Sequence, residues 1–208
     1  MSEPRQLRGL VPVEVLAVIA VAIIPWPEPM PTVLPLLVVA TMARYLRRRS
    51  WSELVAGGGK HAIVGICAGA VALAIALVLG APFIERVTDR AVEWSAFPVV
   101  RGNASQLAIV VLYMAITAIA AELALRGWLV ERVLELSPGS PVLPVMLGAL
   151  AETLITPGDL VTRLGAGCFG IGVGWIYVAS GRSVVAPICA RAVFQIGAVV
   201  LESLRVIG

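Results

Sequence analysis

The sequence predicts an all-α fold, a polytopic transmembrane bundle of about seven helices. Of 208 residues, 59% are hydrophobic and only 14% are charged, where a soluble domain carries about 25% charged residues. The mean hydropathy is +0.95. Most of the charges fall between apolar segments, and the basic ones cluster. The net charge of +3 is too small to recruit nucleic acid. It reads instead as the bias of Lys and Arg toward the inner face of a membrane, so the first expected partner is the lipid bilayer.

Seven apolar segments are predicted, at 10–26, 31–46, 61–84, 104–129, 141–156, 161–180 and 184–205. They make one membrane domain over 1–208, with an N-terminal helical hairpin at 10–46 and a helical core at 61–205. The first segment follows Arg5 and Arg8, as a secretion signal does, but Glu14 interrupts it early and a retained helix is expected. Pro27, Pro29 and Pro31 forbid helix continuation, so the second segment begins after an extended turn. Arg44, Arg47, Arg48, Arg49 and Lys60 mark the 44–60 connection as cytoplasmic. With seven spans, the N-terminus, the 127–140 loop and the Ser180-Gly181-Arg182 turn lie inside, and the 85–103 loop lies outside. Between 84 and 97, Ile84, Val87, Ala91, Val92, Trp94 and Phe97 follow a helical pattern, which fits either an interfacial helix or an ordered loop. The expected location is a bacterial inner membrane, multi-pass, with the N-terminus in the cytoplasm.

Several chemistries have no support. Cys67, Cys168 and Cys189 lie in apolar runs without metal-ligand spacing, and His61 is the single histidine. No metal site, disulfide framework or cofactor is expected. Gly165-Ala166-Gly167-Cys168-Phe169-Gly170 matches a dinucleotide fingerprint but sits in a membrane segment. Gly57-Gly58-Gly59-Lys60 lacks the first glycine and the hydroxyl residue of a phosphate loop. Gly165, Gly167, Gly170, Gly172 and Gly174 fit close helix packing. Gly57, Gly58 and Gly59 fit a flexible link.

Seven ionisable residues interrupt the apolar segments. Glu14, Arg163 and Glu202 lie near segment ends, where long side chains reach the interface. Glu122, Arg126, Glu152 and Arg191 sit deeper, where an isolated charge costs at least about 2.5–3.5 kcal/mol. They are the candidates for a polar cluster inside the bundle.

These residues form an ordered set: Glu122-x-x-x-Arg126-Gly127, a Pro-led helix carrying Glu152, a Gly-rich helix ending at Tyr177 and Ser180-Gly181, and a last helix opening Ala186-Pro187 with Arg191 and Gln195. The set resembles the CPBP family, the CAAX-protease and bacteriocin-processing glutamic intramembrane proteases, over roughly 35–205. The resemblance implies that family's helical fold. It also places the family's motifs: an EExxxR motif falls on Ala121, Glu122 and Arg126, a His position on or near Glu152, and an HxxxN motif on Arg191 and Gln195. In the family the first Glu activates water, and the His and Asn residues hold water and stabilise the oxyanion.

The departures matter. Alanine at 121 is no base, and an arginine at 191 cannot accept a proton as neutral histidine does. Gln195 keeps one amide donor. Losing proton-transfer groups typically costs about 10²–10⁴-fold each. No catalytic residue is therefore expected among Ala121, Glu122, Arg126, Glu152, Arg191 and Gln195. The expectation is a pseudoenzyme: a scaffold, assembly factor or small subunit that contacts another integral membrane protein. The alternative is a hydrolase that uses Glu122 and Glu152 as a carboxylate pair, with Arg191 stabilising an anion. A transporter has less support, since no broken-helix repeats are present. The opposite charges at 152 and 191 are expected to pair, with an arginine fork bridging two carboxylates.

The topology is testable. In a background lacking the three native cysteines, Glu93→Cys should react with an impermeant reagent added outside. Labelling only after permeabilisation contradicts the assignment.

Overall fold

The computed structural model describes residues 11–24, 31–55, 57–89, 97–137 and 139–204. Residues 26–30 of the expected extended turn and 90–96 of the helix-like pattern, Trp94 included, lie outside these residues. No strand occurs among them. Seven helices coincide with the seven apolar segments: α1 (Val11–Ile23), α2 (Val33–Leu46), α3 (Gly58–Thr88), α4 (Ala104–Glu135), α5 (Val142–Ile155), α6 (Leu160–Ala179) and α7 (Val185–Ser203). By length and composition α3, α4, α6 and α7 can cross a bilayer. At 14 residues each, α2 and α5 span only about 21 Å of a core about 30 Å thick.

The structure corrects three expectations. The 127–140 segment is not a loop, because α4 runs on to Glu135. Its charges mislead because Arg132 is buried and paired with Glu135 one turn away, so they tie the helix down instead of marking solvent. Likewise α3 continues through Glu85 and Arg86 to Thr88, and 98–100 form a short 3-10 turn. Of the three glycines expected as a link, Gly57 has φ +82 at the helix start, whereas Gly58 and Gly59 are already helical.

The chain falls into two compact units. In the first, made of described residues within 1–56 and 120–184, α1, α2 and the end of α4 close around Val18, Leu36, Ala40, Leu125, Trp128 and Leu129. Helices α5 and α6 pack together along a glycine row. A Cβ on Gly174 would lie 2.9 Å from Val145, and one on Gly170 would lie 3.2 Å from the Cα of Ala149. Gly167 faces Thr153 in the same way. A Cβ on Gly165 or Gly172 would meet nothing within 4 Å, so these two take no part in the packing. Small residues matter here because lipid supplies no hydrophobic drive, and close van der Waals approach must replace it.

The second unit, 57–119 with 185–208, contains α3, the first part of α4 and α7. Gly65 and Gly69 of α3 seat on Ala186, Cys189, Ala190 and Val193 of α7. Along 58–75, only Gly65, Gly69 and Leu73 are buried. The exposed Ile63, Val64, Ile66 and Val71 suit lipid. A π-helical stretch at Ala76–Gly80 precedes Pro82, whose ring and missing N–H disturb the preceding turn. Glu202 of α7 is 1% exposed, with Arg101 at 3.5 Å, so it does not reach out as its segment-end position suggested. Arg163 is exposed, as expected.

The glycine row makes a paired prediction. Gly170→Ala should destabilise by roughly 1–3 kcal/mol, as overpacking does. Gly165→Ala should be neutral or mildly stabilising, since alanine is the better helix former. Thermal melting in detergent reads both, and equal effects contradict the packing assignment.

Candidate functional site

The site is built on the Ala-rich end of α4. Ala118, Ala120, Ala121 and Ala124 are all buried. Their small side chains let neighbouring helices approach. Just beyond them α4 widens into a π-helical stretch, Leu125–Val130, with every residue buried. Such stretches recur at functional positions because they turn side chains and carbonyls out of α register.

Arg126 is 0% exposed and lies inside this stretch. Its guanidinium holds groups from three helices. On α4, Nη1 donates to Glu122 Oε1 at 3.4 Å, and Nε lies 3.3 Å from Glu122 Oε2. From α5, Glu152 Oε2 accepts from Nη2 at 2.7 Å. From α6, the Gly170 carbonyl accepts from the same nitrogen at 2.8 Å. The planar fork suits this task, since its donors point to fixed directions at once. Gly170 also explains the glycine row: a Cβ there would lie 2.7 Å from Glu152 Oε2 and 3.3 Å from Arg126 Nη2.

Three of the six expected site residues, Glu122, Arg126 and Glu152, thus come together in the first unit. Ala121 lies beside Glu122 on α4, 4% exposed. Arg191 and Gln195 stand one turn apart on α7 in the second unit. Arg191 is 7% exposed and is engaged within the chain. Arg126 itself forks between the two carboxylates. Glu122 and Glu152 are sealed, with side chains 0% and 3% exposed. No group of histidine, cysteine, aspartate and glutamate side chains that could hold a metal occurs among the described residues.

Sequence reasoning missed a second ionic network at one end of this unit. Glu14, expected to reach the interface, instead accepts from Arg47 at 2.6 and 3.0 Å and lies 3.7 Å from Arg132. Arg132 pairs with Glu135, which Arg49 approaches at 3.4 Å. Tyr177 donates to Glu131 at 2.9 Å, and Arg182 reaches the same carboxylate at 3.3 Å. The basic cluster at 44–49 was legible, but its acidic partners lie far off in the chain. The Gly170 carbonyl had no signal beyond the glycine itself.

The geometry predicts coupling between Arg126 and Glu152. Arg126→Gln removes a cation between two buried carboxylates and should cost roughly 3–5 kcal/mol, as breaking buried pairs does. Glu152→Gln should destabilise the wild type more than it destabilises the Arg126→Gln protein, because there the Arg126 contact is already gone. Thermal melts of the four proteins in one detergent check this. Additive effects contradict it.

No curated protein and no solved structure matches the chain. A family model does, over residues 103–197; its description is type II CAAX prenyl endopeptidase Rce1-like. That segment contains all six expected site residues, from Ala121 to Gln195. The match agrees with the family resemblance read from the sequence, and the all-helical architecture of the described residues fits it. Residues 103–197 are therefore similar to the Rce1-like family of membrane endopeptidases.

Proposed function

We propose that this chain is a pseudoprotease: a non-catalytic CPBP-like membrane protein acting as a scaffold, assembly factor or small subunit of a membrane protein complex. One observation carries the reading. The two carboxylates best placed for acid–base work are buried and held by Arg126, and the resemblance places the family's first Glu on Ala121. A general base must reach the proton it takes, directly or through one water. Buried carboxylates held by a buried guanidinium are arranged to hold helices together. Removing the base and both histidines leaves Gln195 as the remaining amide, which by itself transfers no proton. The partner is another integral membrane protein, met through lipid-facing helices. The protein resides in a bacterial inner membrane with its N-terminus inside.

Two measurements test this. The purified protein should not cleave prenylated or unmodified peptides, and Ala121→Glu alone should not restore cleavage, because both histidines are missing as well. Turnover by the wild type that Glu122→Gln abolishes would establish the hydrolase reading instead. Mild-detergent purification from the native membrane should yield a stoichiometric membrane partner. A solitary monomer would count against the scaffold.

A further inference from the structure

The segment joining α2 to α3 carries more built contacts than a connection requires. Ser50 opens a 3-10 turn, Trp51–Leu54, with a reciprocal cap. Its Oγ accepts from the Ser52 N–H at 3.2 Å, and Glu53 Oε1 accepts from the Ser50 N–H at 3.0 Å. Leu54 is buried, and its carbonyl accepts from the Val184 N–H at 2.9 Å. Arg44 is 3% exposed. It donates to the Gly127 carbonyl at 3.2 Å and to the Ser50 carbonyl, and its guanidinium lies 4.6 Å from the centre of the Trp51 ring.

The seat of these contacts is Gly127. A Cβ there would lie 2.9 Å from Leu54 Cδ1, 3.2 Å from Trp51 Cζ3 and 3.3 Å from Val184 Cγ1. The missing side chain is the space the turn occupies. Gly127 follows Arg126 directly and sits inside the π-helical stretch. A π stretch is seldom stable unaided, and it persists where outside groups satisfy its backbone. Arg44 satisfies one of its carbonyls. The segment is bracketed by left-handed residues, Arg48 at φ +55 and Gly57 at φ +82. A non-glycine residue in that region is uncommon and marks an imposed bend.

We propose that residues 49–55 form a strap, bent at Arg48 and Gly57, whose docking on Gly127 through Arg44 holds α4 in its π-helical register and keeps Arg126 aimed at Glu122 and Glu152. Arg44 is a positioning residue that acts through the Gly127 carbonyl. The strap is the conformational control of the cluster. When it lifts, the backbone of α4 loses the partner that fixes the direction of Arg126. This stands apart from the question of catalysis, since a hydrolase would need the same register.

Amide hydrogen exchange on the full chain in detergent tests it, with trypsin cleavage after Arg47, Arg48 and Arg49 reporting release of the strap. Gly127→Ala should speed cleavage and speed exchange across 120–130 about tenfold, the signature of local opening. Arg44→Lys should do the same to a smaller extent, because one ammonium cannot hold two carbonyls and cover Trp51 together. A staple separates coupling from simple damage. Leu54→Cys with Val184→Cys, in a protein whose Cys67, Cys168 and Cys189 are alanine, joins two residues already linked through their backbones. Once oxidised, the staple should return Arg44→Lys to wild-type exchange. If either substitution frees the strap to trypsin while 120–130 exchanges as before, the proposal is overturned. Failure of the oxidised staple to slow exchange overturns it too. If Gly127→Ala does not fold, Arg44→Lys, which adds no bulk at the seat, gives both readouts.

Discussion

Arg126 donates to Glu152 at 2.7 Å and to the Gly170 carbonyl at 2.8 Å, and it faces Glu122 at 3.3 Å. Helices α4, α5 and α6 thus share one guanidinium. In a soluble protein such a cluster would compete with water for every contact. Inside an apolar bundle the competitor is an unsatisfied charge, and that makes separating the helices costly. The same constraint explains the local sequence. The end of α4 must be small, so it is alanine. The facing side of α6 must be smaller still, so it is glycine at 167, 170 and 174.

The cluster also shapes the functional reading. A protease of this architecture needs carboxylates that meet water and give up or take a proton. Here they meet arginine. In the proposed reading Glu122 and Arg126 hold helices together, and Ala121 stands where the resemblance places the Glu that activates water. Fold alone does not fix function, and in this chain the replaced residue bears most directly on chemistry.

Much of this was legible in the sequence, for physical reasons. The apolar runs marked the seven main helices among the described residues because membrane helices must be apolar along their length. Glu122 and Arg126 were legible as a pair because four residues make one turn. Glu152 was legible through motif order, since no periodicity links it to a helix 26 residues away. Other features were hidden. Arg132 and Glu135 looked like a loop because a charge paired within the fold reads the same in sequence as one meant for water. Glu14 looked like a segment end because Arg47, its strongest partner, lies 33 residues away. The docking of Trp51 and Leu54 on Gly127 was read only as a basic connection, since an absent side chain leaves no pattern of its own.

The central claim is that Arg126 binds Glu152 inside the bundle. The most direct test is a dipolar-coupling measurement by solid-state NMR in lipid bilayers, with guanidinium nitrogens and glutamate carboxyl carbons labelled. Glu152→Gln identifies the Glu152 carboxyl signal by its loss. Strong dephasing of that signal by arginine nitrogens is expected, weakened when Arg126 becomes Gln. A Glu152 carboxyl signal that shows no arginine coupling, or whose coupling is unchanged by Arg126→Gln, would contradict the contact.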